Sequence, residues 1–414
     1  MMTAITNVRV FDGNKVLENQ TVVIAGQTIS AVGGAVPEGA NMINGEGATL
    51  LPGLIDAHVH TNPDGLRNAL VFGVTTELEM MGHRTPEQRK QIAESDDMAD
   101  VRSADFGLTA PGGHPSEIHS KIPRPSGPPA HHHGGGQGSP QRYGAAPTAS
   151  TPDEAKDFVA QRVASGADYI KVMIEEGSLL DAPGLPMLSH ETLVTAVQEA
   201  HRHGKLAIAH ALTSEATEQA IAIGVDGLAH LFIDQPHTDE LVKRIADSGA
   251  FVTPCLVLNS SIMGKTGAGL ATDNRVSSKL SPVWLKALCG SFNTYPQGNF
   301  DNVLGTVAAM HKAGVDILAG TDVSVPFPEL GGLAHGASLH HELQLLVKAG
   351  LTPIEALRAA TSVTARRFGL DDRGRIAVGA RADLVLVDGD PTTNISDSLS
   401  IRHVWRRGVL LNAK

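Results

Sequence analysis

Cysteine is almost missing from this 414-residue sequence: Cys255 and Cys289 are the only two. So few give neither a disulfide framework nor zinc-finger spacing, and they fit a reducing compartment such as the cytoplasm. Aromatic residues are scarce as well, at 4%, so Val, Ile, Leu and Ala must fill the core. Basic charge is in deficit. A net charge of −11 argues against a nucleic-acid or anionic-membrane surface, because both need clustered Lys and Arg. No uncharged apolar run approaches the ~20 residues of a membrane span. The opening Met1-Met-Thr-Ala-Ile-Thr-Asn-Val-Arg-Val10 lacks the basic region, apolar stretch and cleavage site of a secretory signal. With 42% hydrophobic and 19% charged residues, the composition is that of a globular protein. One residue type is in excess. The 19 histidines outnumber what a core needs, which makes metal chemistry worth pursuing.

Short β segments with Gly, Asn and Asp punctuation fill residues 4–50, and the same style returns in Ala382–Asp388 and Arg402–Arg406. The two ends are therefore expected to pair into one small β-sandwich, built from residues 1–51 and 371–414. Between them, over 52–370, strand and helix alternate. Eight apolar strand candidates recur, at 50–60, 73–80, 104–110, 167–174, 205–212, 225–232, 251–258 and 316–323. Thr85-Pro-Glu-Gln88, Thr151-Pro-Asp-Glu154 and Thr352-Pro-Ile-Glu355 carry helix-start signals, with Thr at the N-cap and Pro in the first turn. Eight βα units predict an α/β fold with a closed (β/α)8 TIM barrel. The competing open sheet would want a Gly-rich phosphate turn after its first strand, and Asp56–His60 is not one. Two long connections, 111–150 and 259–300, are expected to cover the pocket as a mobile lid. The run His131–His133 in the first reads as a flexible polar tract rather than a metal site.

The chemistry-bearing residues stand at strand ends. In Pro52-Gly-Leu-Ile-Asp-Ala-His-Val-His60, the period of two puts His58 and His60 on one face of one strand, which is half of a metal site. Lys171, in Asp168-Tyr-Ile-Lys-Val-Met-Ile174, lies inside a buried strand, where a charged amine is costly. Desolvation lowers its pKa, and a neutral amine can take up carbon dioxide to become a carbamate, an anionic ligand able to bridge two cations. His210 and His230 each end an apolar strand, and imidazole is a good Zn2+ ligand. Asp322 ends Asp316-Ile-Leu-Ala-Gly-Thr-Asp322, where a carboxylate can bind metal and serve as general base. His114, after the third strand, is placed to polarise a substrate carbonyl. His340-His-Glu342 reads as support for the site. His201, His203 and His311 fall near helix C-termini, where cations are favoured anyway.

This ordered set resembles the amidohydrolase superfamily, in its imidazolonepropionase-like and prolidase-like (Xaa-Pro dipeptidase) branch. The matching motifs are Pro52–His60, Gly73-Val-Thr-Thr76, Asp168–Lys171, Gly320-Thr-Asp322, Ala359-Ala-Thr361 and Gly379-Ala-Arg-Ala-Asp-Leu-Val385. The resemblance implies two divalent metal ions, usually Zn2+. His58, His60 and Asp322 would hold one, His210 and His230 the other, with N6-carboxylysine at Lys171 bridging them. It implies hydrolysis of a C–N bond by a metal-bridging hydroxide, with Asp322 as proton shuttle, a small-molecule substrate and a homo-oligomer. Deaminases of the superfamily use one metal and a Glu soon after the fifth-strand His; here His210 is followed by Ala-Leu-Thr213. Two features depart from the dipeptidase branch. His210-Ala-Leu212 replaces a second His-x-His, and Ile233 replaces a Tyr close to the substrate carboxylate. The ending Met173-Ile-Glu-Glu-Gly177 also differs from the usual Gly-rich turn. The expected substrate is therefore a less polar amide, carbamate or urea bound against Ile233 and His114. An Xaa-Pro dipeptide is the alternative substrate. A mononuclear deaminase or cyclic-amide hydrolase and a non-catalytic scaffold are the rival functions.

Overall fold

The computed structural model describes residues 2–121 and 146–412; the run His131–His133 and most of the connection 111–150 lie outside them. Both ends of the chain build one mixed sheet. Its strands are β1 (Met2–Phe11), β2 (Val16–Ala25), β3 (Thr28–Val32), β4 (Asn41–Asn44) and β5 (Thr49–Pro52) from the front. From the back come β13 (Leu384–Val387), β14 (Ile401–Arg406) and β15 (Val409–Leu410). The order is β15-β14-β13-β5-β1-β2-β3, with β4 beside β1. The join falls at β5, where Leu51 pairs antiparallel with Val385 and Leu50 with Leu386. Ile5, Val10, Ile24, Leu50, Leu384 and Trp405 share a core of their own. The ends of the chain thus pair as their composition suggested. They do so as one continuous eight-stranded ladder, and among the described residues two facing sheets are not separate ladders.

The middle of the chain gives seven short parallel strands. A three-stranded sheet holds β6 (Leu54–Val59), β7 (Val74–Glu79) and β8 (Asp100–Ser103); a four-stranded one holds β9 (Ile170–Met173), β10 (Ala207–His210), β11 (Gly227–Ala229) and β12 (Phe251–Thr253). The expected strand 104–110 is displaced: its ladder is β8, and only Leu108 bridges onward to Val172. The expected strand 316–323 makes isolated parallel bridges, Ile317 to Val252 and Val323 to Val59. Gly320 explains how closely it lies on β6, since a Cβ there would meet the His58 backbone nitrogen at 2.9 Å.

A separate buried cluster contains Ile55, Leu78, Ala104, Tyr169, Ile208, Ala229, Phe251 and Leu318, one residue from each of the eight segments. Tyr169 and Ile208 precede Lys171 and His210 by two residues, so they underlie them on the same strand faces.

The helices between strands start as their sequences dictate. Thr85 and Thr352 form complete capping boxes with Gln88 and Glu355, and Thr151 accepts from the Glu154 N–H. Residues 259–300, part of the expected lid, carry secondary structure of their own. Leu256–Ile262, Ala268–Thr272, Asn274–Ser277 and Pro282–Leu288 are short helices there, and Val276, Trp284 and Leu288 anchor them in the main core. Among the described residues no helix is long and apolar enough to cross a membrane.

Candidate metal centre

The C-terminal ends of the parallel strands gather the ionisable residues. His58 and His60 leave the end of β6 and both direct Nε2 at one oxygen of Asp322, at 3.1 and 2.9 Å. His230, just past β11, puts its Nε2 3.9 Å from the other Asp322 oxygen. The His58 and His230 rings are 4.6 Å apart, and His210 at the end of β10 stands 4.7 Å from His230. Asp56 fixes one side of this cluster. Its carboxylate accepts from the His58 backbone N–H and from the Thr321 N–H and hydroxyl, tying β6 to the segment that carries Asp322. Asp322, His230 and Cys255 all have left-handed backbones, with φ of 59°, 73° and 50°. Non-glycine residues pay about 1–3 kcal/mol for that conformation and cluster where a side chain must be aimed.

Burial sets the charge states. Lys171 is 1% exposed. Loss of solvent brings its amine down to about 8, against the attraction of Asp322 and Cys255. Burial, with the Lys171 charge nearby, lowers His58 to about 3, and burial first of all depresses His210 and His230. Burial would raise Asp322, but His58, His60 and His230 outweigh it and hold the carboxyl well below the ordinary range. The result is neutral imidazoles at His58, His210 and His230 beside an ionised Asp322, the protonation states that divalent metal binding requires. Two triads have ligand atoms within 4.8 Å of one another: His58, His60 and Asp322, and His58, His230 and Cys255. Among the described residues, the buried Nδ1 atoms of His58 and His230 have no hydrogen-bond partner. These donors fit a divalent ion such as Zn2+.

The expected second ligand group is assembled differently from the first. His210 directs Nε2 not at Asp322 but at Glu175, 3.0 Å away. His114 joins the same corner: its ring lies 4.4 Å from that of His210, and its Nδ1 is 2.6 Å from a Glu117 oxygen. Ile233 is buried in the main apolar core, and its N–H donates to the Leu212 carbonyl.

Sequence reasoning passed over Glu175, Glu117, Cys255 and Asp56. Cys255 ends the strand after His230, and its position just past an apolar β segment was the signal. Glu342 supports this side, its carboxylate accepting the N–H groups of Leu256 and Val257 at 2.9 Å each. Burial nevertheless raises Glu342 to about 8. His340 is structural, bonded to the Phe72 carbonyl and to Ser398. Beside the exits of β9, β10 and β11 lies an open cleft of about 510 Å³, lined by Glu176, Glu215, Glu218 and Asp234 among others.

Ochratoxinase of Aspergillus niger is 25% identical over 434 aligned residues, covering 95% of this chain and 83% of that protein. A prolidase structure complexed with N-methylphosphonate-L-proline superposes with a TM-score of 0.74 at 24% identity, covering all of both chains. Molinate hydrolase gives a TM-score of 0.75 at 21% identity, covering 99% of this chain and 94% of the other. The family model for amidohydrolases matches residues 49–411, from β5 to the last strand, and so includes every residue of the cluster above. The chain belongs to the amidohydrolase family.

Proposed function

We propose that this protein is a metal-dependent hydrolase that cleaves an amide-type C–N bond in a small molecule. In this reading it holds two divalent ions, Zn2+ foremost, on a (β/α)8 barrel. The observation that carries the proposal is the convergence of His58, His60 and His230 on Asp322 in a buried setting, beside His210 and Lys171. Three features support the barrel: the two parallel sheets, the bridges at Leu108, Ile317 and Val323, and the apolar cluster drawing on all eight segments.

His58, His60 and Asp322 would hold one ion, and His210 and His230 the second, with carboxylated Lys171 between them. Divalent ions at this place supply Lewis-acid polarisation and bring the pKa of water to about 7. The chain's own residues do the rest. Asp322, kept ionised, accepts a proton as water adds to the carbonyl carbon. It returns that proton to the nitrogen as the C–N bond breaks, giving an acid and an amine. With Nδ1 engaged by the Glu117 carboxylate, His114 would donate from Nε2 to the carbonyl oxygen as the imidazolium, the form that carries a proton on both nitrogens.

The substrate reading favours neutral amides, carbamates or ureas over free-carboxylate dipeptides. Ile233 lies buried in the apolar core and offers a carboxylate no polar partner. A panel of N-acyl amines, carbamates, ureas and Xaa-Pro dipeptides, assayed with zinc-reconstituted protein, tests this. Turnover of neutral compounds is expected; turnover of Xaa-Pro dipeptides alone would overturn the substrate class. Protein that binds its ions and hydrolyses none of the panel would favour the non-catalytic scaffold.

A further inference from the structure

One buried histidine beside the rim takes no part in the proposed ligand set. His335 is 1% exposed, and both of its ring nitrogens are engaged. Nδ1 lies 2.8 Å from an oxygen of Glu77, itself fully buried on β7, and Nε2 lies 3.1 Å from the Ser324 carbonyl oxygen. A carbonyl only accepts, so Nε2 carries a proton and donates it, while Glu77 on the other nitrogen fixes the ring. The surroundings are cut to this ring. A Cβ at Gly65, in the first turn of the helix Pro63–Val71, would sit 2.8 Å from His335 Nε2. Trp284 meets the same ring edge-on, with centroids 5.3 Å apart.

Ser324 lies two residues beyond Asp322, whose own backbone is left-handed at φ 59°. A non-glycine residue keeps that conformation only where its surroundings over-determine it. Three ties do so here. Before the turn, Asp56 accepts the Thr321 N–H and hydroxyl at 3.1 and 2.7 Å. Within it, the Asp322 N–H donates to the His58 carbonyl and the Val323 carbonyl accepts from the His60 N–H, at 2.8 Å each. After it, His335 donates to the Ser324 carbonyl. The first two ties run to β6 and its end; the third runs to β7, through Glu77. Asp56 and Glu77 are register partners on those strands. Two neighbouring buried acids thus grip the turn on either side of Asp322, the second of them through a histidine.

We propose that His335, oriented by Glu77, is a positioning residue: its Nε2–H on the Ser324 carbonyl holds the left-handed turn that aims Asp322. The inference rests on the reading of Asp322 as metal ligand and proton acceptor given above. Without this bond the segment after Asp322 relaxes towards ordinary backbone, and the carboxylate swings off the line set by His58 and His60. A displacement of about 1 Å at a reacting group is enough to cost a large factor in rate.

The test uses the full chain, stripped of metal and reloaded with Co2+, whose visible absorption reports the arrangement of its ligands. Affinity is read by competition with a chromophoric chelator. Two substitutions divide the ring's two bonds. The amide of His335→Gln reaches as far as Nε2 and can still donate to the Ser324 carbonyl. The shorter amide of His335→Asn meets Glu77 as Nδ1 does but falls short of Ser324. Expected in His335→Asn is an ion affinity lower by about 10–100-fold, with an altered Co2+ spectrum. Both should be largely restored in His335→Gln. Thermal unfolding of the metal-free proteins separates this from a general loss of fold, since a merely structural histidine would give affinities that follow stability. A folded His335→Asn with wild-type affinity and spectrum, or equal losses in the two variants, would overturn the assignment. Should His335→Asn fail to fold, crystals of the Co2+-loaded wild type decide. A Ser324 carbonyl still bonded to Nε2, with Asp322 on the ion, supports the positioning role; a broken bond overturns it. A wild type that folds but takes up neither Co2+ nor Zn2+ would overturn the reading of Asp322 as a ligand, and this inference with it.

Discussion

Replacing Lys171 by Met should make the metal-free protein more stable at neutral pH while abolishing its activity. The side chains are of similar length, so the packing of β9 against Leu108 and Ile208 is kept. Charge is what changes. Burial takes the amine from its ordinary 10.5 to about 8 even with Asp322 and Cys255 nearby. A folded-state pKa depressed this far means that the charged form costs on the order of 3 kcal/mol relative to the unfolded chain. The sign follows from proton counts. Below pH 8 both states carry the proton and the folded state bears the full penalty. Between pH 8 and 10.5 the unfolded chain binds more protons, so wild-type stability rises with pH and the penalty disappears. Lys171→Met has no such window. Its advantage over wild type should therefore be about 3 kcal/mol near pH 7 and fade towards pH 10.5. Urea unfolding of both proteins, freed of metal and carbon dioxide, at several pH values reads this directly. A variant less stable than wild type at pH 7, or an advantage independent of pH, would refute the reasoning. The same depression leaves about a tenth of the amine neutral at pH 7, some 300-fold more than an ordinary lysine offers to carbon dioxide.

Two further outcomes follow from particular contacts. Asp322→Asn should lower kcat by about 10²–10⁴-fold even when each sample is corrected for bound metal, because the amide cannot carry the proton; equal rates per bound ion would remove Asp322 from the proton path. Asp100, on β8, accepts from Arg373 and Arg381 and faces Arg406, and these arginines hold its carboxyl well below the ordinary range against the effect of burial. Asp100→Asn removes the carboxylate that these arginines share where the two sheet systems meet, while Asp372 and Asp383 remain as partners, so thermal unfolding should report a loss of about 1–3 kcal/mol.

The His-x-His spacing, the buried Lys171 and the strand-terminal His210, His230 and Asp322 were legible because strand periodicity and the cost of burying charge act locally. Their gathering at one rim follows from parallel strands that share a direction. The helix starts at Thr85, Thr151 and Thr352 were legible for the same local reason. The third strand was less so: expected at 104–110, it lies at Asp100–Ser103, where Asp and Arg blur the apolar pattern. Asp100 makes ion pairs there with Arg373 and Arg381, which join segments some 270 positions apart in sequence. The helices within residues 259–300 were not legible, because Gly, Ser and Asn hide short segments anchored by Val276, Trp284 and Leu288. Glu175 was visible only as a departure from a Gly-rich turn. Its bond to His210 depends on where that ring turns, which is tertiary information.

The central claim is that these side chains hold a pair of divalent ions for hydrolysis. The most direct measurement is anomalous diffraction at the zinc edge from crystals of the reconstituted protein. Two peaks about 3.5–4 Å apart are predicted. One should lie among His58, His60 and Asp322, the other beside His210 and His230, with density for a carbamate on Lys171 between them. A fully folded molecule with no peak at that rim, or with its only peak at a surface histidine, would contradict the account.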